Sequence, residues 1–341
     1  MYKREVIHSM KRRCYEWDYC SPSIYMVTFA LSNRSVPLLG NLIIEPSMQI
    51  PPSPYDVNGR MSYSKLGNGI FDLWRDFSRL VPEINPIMMQ LMPEHLHCIL
   101  QVTMQMSKPL GQAIAKFKGE CSKLYWKLMP EMQGTPLFEQ GYQDTILFHN
   151  GQLNNMIKYV LDNPRRLAVK TLFPDLFKVQ RELVLEGTSY TAVGNHYLLG
   201  YPMLRQVQVS RRDYGTEAFY LKKQELLRNI QYGTALVTPC LSEGERDIAY
   251  AALSNKIPLI VLKHNGFSRY YKPSGVFFDA CADGRLLMLA PSAWGYTPGR
   301  AKITRVQACI LNALAQRICG PNACDIIYNG IVPDISTIMP T

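Results

Sequence analysis

Two apolar segments separated by only two residues constrain the fold of this chain most strongly. Ile84–Met92 and His95–Thr103 are each long enough for a β-strand, and Pro93 and Glu94 leave room only for a tight connection between them. Strands joined so closely pair as an antiparallel hairpin. We therefore expect an antiparallel sheet in the first half of the chain.

The segments on either side of this hairpin extend the pattern. We predict a strand at Ile24–Leu31, helices at Ser64–Leu80 and Leu110–Leu128, an extended segment at Gln143–Phe148 and a helix at Gln152–Asn163. The order β-α-β-β-α-β is that of a split β-α-β, ferredoxin-like sheet. The proline-rich stretch from Gly40 to Met61 is predicted to be a long surface loop outside the core.

In the second half of the sequence, short apolar runs alternate with turns and helices. Strands are predicted at Gln206–Ser210, Ala235–Thr238, Leu259–Leu262 and Leu286–Ala290, with helices near Glu243–Asn255 and Arg305–Ile318. This alternation indicates parallel β-α-β units and a small Rossmann-like sheet. The predicted fold class is α+β, with a first domain over residues 1–175, a linker over 176–194 and a smaller α/β domain over 195–341.

Composition excludes several classes of protein. With 47% hydrophobic and 19% charged residues, the 341-residue chain is neither disordered nor fibrous. No apolar run is long enough to cross a bilayer, and the beginning of the sequence lacks the apolar core of a secretory signal. We expect a soluble, cytoplasmic protein without a membrane partner. The net charge of +10 is compatible with a polyanionic partner but also occurs in proteins that bind none.

Two histidines stand at the start of the second hairpin strand. His95 and His97 are two residues apart, so strand geometry places both imidazoles on one face, while Leu96 and Cys98 face the other way. Such a pair forms half of a site for a divalent ion. Two strand histidines can also face solvent or share a polar network in the core.

A later helix carries polar side chains that could meet these histidines. Tyr159 and Asn163 lie four residues apart at the edge of the apolar stripe formed by Leu153, Met156 and Val160. Pro164 disfavours a helical conformation at Asn163, so we expect the helix to end or kink there. From spacing alone, Tyr159 is a candidate nucleophile or a boundary tyrosine, and Asn163 a ligand or a helix C-cap.

Basic residues suggest a nucleic-acid surface. On the Leu110–Leu128 helix, lysines line one face, and further cations flank the other motifs: Arg12, Arg13, Lys116, Lys118, Lys123, Lys127, Arg165 and Arg166. Tyr125 and Trp126 could stack on unpaired bases. The alternative is a solvated helix face whose lysines pair with Glu120.

Taken together, five segments resemble one protein family over roughly residues 12–170. They are YEWDYCSPSIYMVTFALSNR, MPEHLH, AKFKGE, GYQDTIL and KYVLDNPRR. The combination resembles the REP-associated tyrosine transposases, which belong to the HUH superfamily of single-tyrosine nucleases. Glu94 stands where that family often has Asn, and GYQD replaces a version richer in His.

The resemblance implies a function and roles for four residues. His95, His97 and Asn163 would bind Mg²⁺ or Mn²⁺, and Tyr159 would attack DNA to form a 5′-phosphotyrosine with a free 3′-hydroxyl. The substrate would be single-stranded DNA with a hairpin or palindromic element, and the active form would be a homodimer. The bond energy retained in the phosphotyrosine would allow a second strand to be joined without ATP.

The second half, from Gly233 to Pro291, is similar to the Rossmann-like domain of DNA-processing protein A and its nucleotide-binding relatives. In such sheets ligands bind beyond the carboxyl ends of the strands, which here indicates Thr238, Ser242, Glu243, Asn265 and Gly266. Ser242 is equally suited to cap a helix.

Two alternative functions remain at this point. A regulator that binds nucleic acid without cutting it would retain the fold and lose the nucleophile or a ligand, whereas all four residues are present here. A protein that binds nucleotides would act through its C-terminal domain.

Overall fold

The computed structural model describes Cys14 and residues 16–46, 57–299 and 302–320. These residues form two compact units. The first holds the described residues up to 46 together with 57–168, and the second holds those from 169 onwards.

The first unit contains six strands and four α-helices within its described part, and the last of these helices continues beyond residue 168. In chain order they are β1 (Ser23–Ala30), β2 (Gly40–Pro46), β3 (Val57–Tyr63), α1 (Lys65–Arg75), α2 (Phe77–Leu80), β4 (Ile84–Leu91), β5 (His95–Val102), α3 (Leu110–Leu128), β6 (Gln143–Ile146) and α4 (Gln152–Leu172).

Four of these strands form the main sheet in the order β4-β5-β1-β6, and every neighbouring pair is antiparallel. The first and last strands of the chain's β-α-β-β-α-β series lie side by side, and β5 lies beside β1. This is the arrangement of a split β-α-β sheet, so the antiparallel α+β fold expected from the sequence is confirmed for this unit.

The two faces of the main sheet are covered unequally. On one face, the side chains of Phe29, Leu96 and Cys98 belong to a large buried cluster with α1 and α3. On the other face, Met26 and Ile99 form a small cluster with the stripe of α4. His95 and His97 alternate with Leu96 and Cys98 along β5, so they lie on this second, thinly covered face together with Thr28, the residue opposite His97.

The expectation of a loop from Gly40 to Met61 is wrong. β2 and β3 pair in antiparallel register, from Gly40 opposite Tyr63 to Pro46 opposite Val57. The prolines that suggested a loop lie between the two strands, at residues 47–56, outside the described part. The predicted helix Ser64–Leu80 is also divided in two at Asp76, whose amide donates back to the Asp72 carbonyl and ends the first helix.

The second unit is built on a six-stranded sheet. Its elements in chain order are β7 (Gln180–Leu185), β8 (Thr188–Gly194), β9 (Met203–Gln206), α5 (Glu217–Arg228), β10 (Thr234–Thr238), α6 (Glu243–Ser254), β11 (Leu259–Leu262), α7 (Gly275–Ala282), β12 (Leu286–Pro291) and α8 (Arg305–Cys319).

Three of the four strands predicted for this half are present in parallel β-α-β units, whereas the strand expected at Gln206–Ser210 is wrong and lies at Met203–Gln206, as β9. β9 to β12 are parallel neighbours in sequential order, and β8 and β7 add two antiparallel strands beyond β12. A Rossmann sheet reverses its winding direction between its halves, and these four parallel strands contain no such reversal. The parallel units therefore do not form the complete Rossmann strand order.

The predicted linker at 176–194 is also wrong, because most of it is β7 and β8. Glu186 and Gly187, at the hairpin tip, both have positive φ, 47° and 72°. Two such residues form the tight turn that matches the twist of a β-hairpin. Gly187 is thus one of the two turn residues of this hairpin.

Within the described residues, none of the helices has both the length and the apolar character needed to cross a bilayer.

Candidate functional site: a histidine pair beside a tyrosine

The two histidines lie on the thinly covered face of the main sheet. The ring centroids of His95 and His97 are 4.9 Å apart, with the rings nearly perpendicular. The hairpin before them is closed by the Met92 amide, which donates to the His95 carbonyl at 2.8 Å. A rigid strand therefore holds the two imidazoles side by side, as the two-residue spacing predicts.

His97 is the more enclosed of the two. It is 7% exposed, and burial, assisted by the nearby His95, lowers its pKa to about 4. Its Nδ1 lies 2.8 Å from Oγ1 of Thr28, the residue directly opposite on β1. At neutral pH the ring is therefore uncharged, which is the form that binds metal ions.

Helix α4 brings Tyr159 to this pair. Leu153, Met156 and Val160 pack against Met26 and Ile99 of the sheet, as the apolar stripe predicts. The same packing places the Tyr159 ring 6.1 Å from the His97 ring. Tyr159 is 38% exposed, so a substrate can reach it from solvent.

Of the two outcomes expected at Asn163, an end or a kink, the end is wrong, because α4 continues through Pro164 to Leu172. Pro164 has no amide proton to donate to the Val160 carbonyl four residues earlier. The Asn163 Nδ2 donates instead to the carbonyls of Tyr159 at 3.0 Å and Val160 at 3.4 Å. The asparagine side chain thus partly replaces the missing helix bond, and its Oδ1 takes no part in these two contacts.

Tertiary packing also fixes the helix at Pro164. Gly59 on β3 lies so close that a β-carbon there would be 2.3 Å from the Pro164 carbonyl oxygen and 3.0 Å from Ala168. Such a distance is too short for any side chain. Gly59 therefore allows β3 to support the helix turn that carries Asn163.

A cationic side chain lies against the tyrosine. The guanidinium carbon of Arg166 is 5.3 Å from the centre of the Tyr159 ring, and Arg166 is 8% exposed. Asp162 accepts two bonds from Arg165, at 2.6 and 2.9 Å, and lies 3.7 Å from Arg166. Both predicted arginines are thus held on α4, one of them over the candidate nucleophile.

The separation of the two imidazoles is the observation that bears on a metal site. Two imidazoles that bind one ion through Nε2 at about 2.1 Å, with an angle near 90–110° at the ion, have ring centroids about 5 Å apart. The observed separation is 4.9 Å. No cluster of three or more His, Cys, Asp or Glu suited to a metal occurs among the described residues. The two histidines therefore supply the observed pair of donors, and Asn163 stays the third ligand that the sequence resemblance implies.

The lysines of α3 lie in the layer on the other face of the main sheet. Ile114, Phe117 and Cys121 of that helix belong to the cluster opposite the histidines. Lys116, Lys123 and Lys127 are exposed there, and Lys123 pairs with Glu120 at 2.7 Å. The sequence grouped these lysines around the pocket, but the sheet separates them from it.

Two other residues of α3 are engaged inside the protein. The Lys118 ammonium donates to the Glu139 and Gly141 carbonyls at 2.5 and 2.8 Å, and burial lowers its pKa. Tyr125, expected to be exposed, is buried. It lies on the apolar stripe of the helix and packs in the same core cluster as its neighbours there. Arg12 and Arg13 lie outside the described residues.

Four of the five residues predicted to bind a ligand in the second unit make hydrogen bonds within the protein. The buried Thr238 accepts a bond from the Cys240 amide, and Ser242 caps α6 by accepting from the Glu245 amide. Asn265 exchanges two hydrogen bonds of 2.9 Å with the backbone of Thr297, and Gly266 donates to the Gly295 carbonyl. Of the five, Glu243 is exposed.

A residue that sequence reasoning missed lies at the same edge. Lys263 follows β11, and its ammonium is 5.0 Å from the centre of the Phe267 ring and 4.9 Å from that of Tyr271. Burial lowers the pKa of Lys263. The sequence did contain a signal for this lysine, because it lies in a segment, residues 248–278, that contains no Asp or Glu.

Comparison with known proteins gives few and distant similarities. No family model matches the chain. A protein of Haemophilus influenzae described as uncharacterized is 23% identical over 145 residues, which cover 42% of this chain. The match spans 63% of that relative, less than two thirds of its length.

Two solved structures are similar to parts of the chain. One is a REP-associated tyrosine transposase bound to a REP hairpin, with a TM-score of 0.33 and 13% identity over 46% of this chain and 75% of the other. The second is a candidate transposase from Deinococcus radiodurans, with a TM-score of 0.27 and 15% identity over 45% of this chain and 95% of the other. Neither similarity is high enough to assign the chain to a family.

Proposed function

We propose that this chain cuts and rejoins single-stranded DNA through a covalent link to Tyr159. The observation that carries the proposal is the position of this half-exposed phenol, with its ring 6.1 Å from the neutral His97 and beside the His95–His97 pair. The sequence resemblance to REP-associated tyrosine transposases supports the same chemistry and suggests DNA with a hairpin or palindromic element.

In this reaction the Tyr159 hydroxyl attacks the phosphorus of a phosphodiester. The Oη–phosphorus bond forms as the bond to the 3′-oxygen breaks. The phenol loses its proton, the 3′-oxygen gains one, and no water is consumed. A 5′-phosphotyrosine and a 3′-hydroxyl result, and the reverse attack by another 3′-hydroxyl releases Tyr159 and joins the strands.

His95, His97 and the Asn163 amide oxygen would hold a divalent ion, Mg²⁺ or Mn²⁺. When bound, such an ion supplies charge that stabilises the phosphorane-like transition state. Arg166 lies against the Tyr159 ring, and the exposed Lys158, next to Tyr159 in the chain, can contact DNA phosphates. Lys118 is not part of the proposed DNA surface, because its ammonium is bonded to backbone carbonyls.

The test is an assay on a labelled single-stranded DNA hairpin with Mn²⁺, analysed on a denaturing gel. We expect a covalent protein–DNA adduct that the Tyr159→Phe variant does not form, with a loss of at least about 10⁴-fold. Tyr220→Phe, at a half-exposed helix position of the second unit, is the matched control and should react as the parent does. Adduct formation by Tyr159→Phe would refute the proposal. Binding without cleavage by the parent would favour the non-cleaving regulator.

A second candidate function concerns the second unit alone. We propose that it binds a nucleotide at the carboxyl edge of its parallel strands, with Lys263 contacting phosphate. A partly desolvated ammonium is costly without an anion, and cation–π contacts compensate for only about 0.5–2 kcal/mol of that cost. Tyr270, 81% exposed in the same acid-free loop, is available to stack on a base.

Thermal-shift measurements with adenosine and guanosine mono- and triphosphates test this second function. We expect at least one nucleotide to raise the melting temperature of the parent but not of Lys263→Met. Lys222→Met, at an exposed position on α5, controls for loss of charge and should respond as the parent does. Equal shifts for Lys263→Met and the parent would exclude Lys263 as the contact.

A further inference from the structure

We propose that Thr28 is a positioning residue that fixes the tautomer of His97, so that Nε2 is the atom presented to the metal ion. The inference rests on the proposed function, because it concerns the same metal site. It assigns a role to a residue of β1, the strand next to the one that carries the histidines.

The register of the sheet brings the two residues together. Thr28 lies directly opposite His97, and its Oγ1 is 2.8 Å from the His97 Nδ1. On the other side of His97, Gln90 is its β4 partner, but the Gln90 amide nitrogen donates to the Tyr63 hydroxyl and the Leu91 carbonyl, both at 2.9 Å. Thr28 is therefore the cross-strand neighbour that bonds the ring.

The direction of the Thr28–His97 bond decides what the other ring nitrogen can do. A neutral imidazole carries one proton. When Nδ1–H donates to Oγ1, Nε2 keeps a free lone pair and can bind a cation. When the hydroxyl donates to Nδ1, the proton lies on Nε2 and blocks it.

The surroundings of Thr28 allow the first arrangement. Thr28 is only partly buried, so its hydroxyl can donate its own proton to solvent while accepting from Nδ1. Its β-branched side chain has few rotamers in a strand and holds Oγ1 in place. Partners of this kind orient metal-binding histidines and raise their basicity.

His95 provides an internal comparison. The residue opposite it on β1 is Ala30, which has no side-chain acceptor. The Thr28 hydroxyl therefore lies opposite His97 and not opposite His95. Loss of the Thr28 hydroxyl should affect His97 selectively.

The first experiment measures the tautomer directly, in the metal-free full chain labelled with ¹⁵N-histidine. Two-bond ¹⁵N–¹H correlations distinguish a protonated from an unprotonated ring nitrogen, and His97 is assigned from its absence in His97→Asn. We expect the His97 proton on Nδ1 in the parent. A proton on Nε2 would overturn the inference, and this result needs no Thr28 variant to fold.

The second experiment measures Mn²⁺ affinity by electron paramagnetic resonance without DNA. We expect Thr28→Val, which keeps the shape and removes the hydroxyl, to bind about 10–100-fold more weakly than the parent. Thr28→Ser, which restores the hydroxyl, should bind within a few-fold of the parent. Equal affinity for Thr28→Val and the parent would overturn the inference.

The two proposals fail in different ways. A parent that binds no Mn²⁺ contradicts the metal site of the proposed function, while the tautomer measurement still decides the role of Thr28. A parent that binds Mn²⁺ and forms the DNA adduct, with Thr28→Val unchanged in affinity, contradicts only the role of Thr28.

Discussion

The antiparallel sheet of the first unit and the parallel sheet of the second leave different places for functional groups. In the first, β5 carries His95 and His97 on the face against which α4 packs. In the second, β10 and β12 are buried along their whole length. Parallel sheets are generally covered on both faces, whereas an antiparallel sheet can leave one face open.

The two sites are held in different ways as a result. On the first sheet, the imidazoles stand on the strand itself, so backbone pairing fixes their positions. In the second, the candidate groups stand on loops beyond the strands, such as Lys263, and depend on loop contacts like those between Asn265 and Thr297. We therefore expect substitutions that disturb packing to affect the histidine site more than the loop groups of the second unit.

Among the changes that act through packing, the largest effect is expected from Gly59→Val. A side chain at Gly59 would collide with the Pro164 carbonyl and displace the turn of α4 that carries Asn163. We expect unfolding free energy to fall by about 1–3 kcal/mol and DNA cleavage to fall by about 100-fold. Urea unfolding and the hairpin assay measure the two effects.

Gly119→Ala is the control for this substitution. Gly119 is an exposed helix residue on α3, and a β-carbon added there would have no neighbour within 4 Å. We expect unchanged cleavage and about 0.5–1 kcal/mol of added stability. Full cleavage by Gly59→Val would show that β3 does not support the site.

The second prediction concerns pH. The pKa of His97 is about 4, below the value near 6.5 of an unfolded histidine, so between these values the unfolded chain binds a proton that the folded chain does not. This contribution to stability is complete above pH 6.5 and is lost as the pH falls toward 4, by roughly 3 kcal/mol in total.

Urea unfolding at pH 7 and pH 4.5 measures this loss. Tryptophan fluorescence reports mainly on the first unit, which holds Trp17, Trp74 and Trp126 of the four tryptophans. His97→Gln should lose less stability on acidification than the parent does, whereas His149→Gln, an exposed residue, should match the parent. Identical losses in all three would contradict a buried neutral His97.

The smallest predicted effect on cleavage tests which face of the main sheet contacts DNA. Removing the cation over the Tyr159 ring in Arg166→Met should lower cleavage about 10-fold, from a cation–π contact of about 0.5–2 kcal/mol. The double variant Lys116→Gln/Lys127→Gln, in the α3 layer, should change cleavage and DNA affinity less than about 2-fold. A larger loss in the lysine variant than in Arg166→Met would place the DNA on the α3 face.

Local sequence predicted the parts of this site that depend on short-range geometry. The spacing of His95 and His97 predicted their common face, since side chains alternate along any strand. The stripe of Leu153, Met156 and Val160 predicted which side of α4 would be buried. Both patterns repeat within a single element, so no knowledge of its neighbours was needed.

Predictions that depended on other elements failed where tertiary contacts outweighed local preference. Pro164 disfavours a helix locally, yet α4 continues, because Asn163 bonds the carbonyls behind it and Gly59 supports that turn. The hairpin of β2 and β3 was obscured by the prolines between its strands. From the sequence, Lys118 could not be distinguished from its exposed neighbours on α3. Its ammonium is bonded to the Glu139 and Gly141 carbonyls, which lie far from it in the chain.

The sequence by itself determined the two sheet types, the shared face of the histidines and the apolar side of the helix that carries Tyr159. Only the tertiary structure decided that Thr28 lies opposite His97, that Arg166 covers Tyr159 and that the α3 lysines lie on the other face of the sheet. The reason is physical: side-chain periodicity is a property of one segment, whereas strand register and layer order arise from packing between segments far apart in the chain.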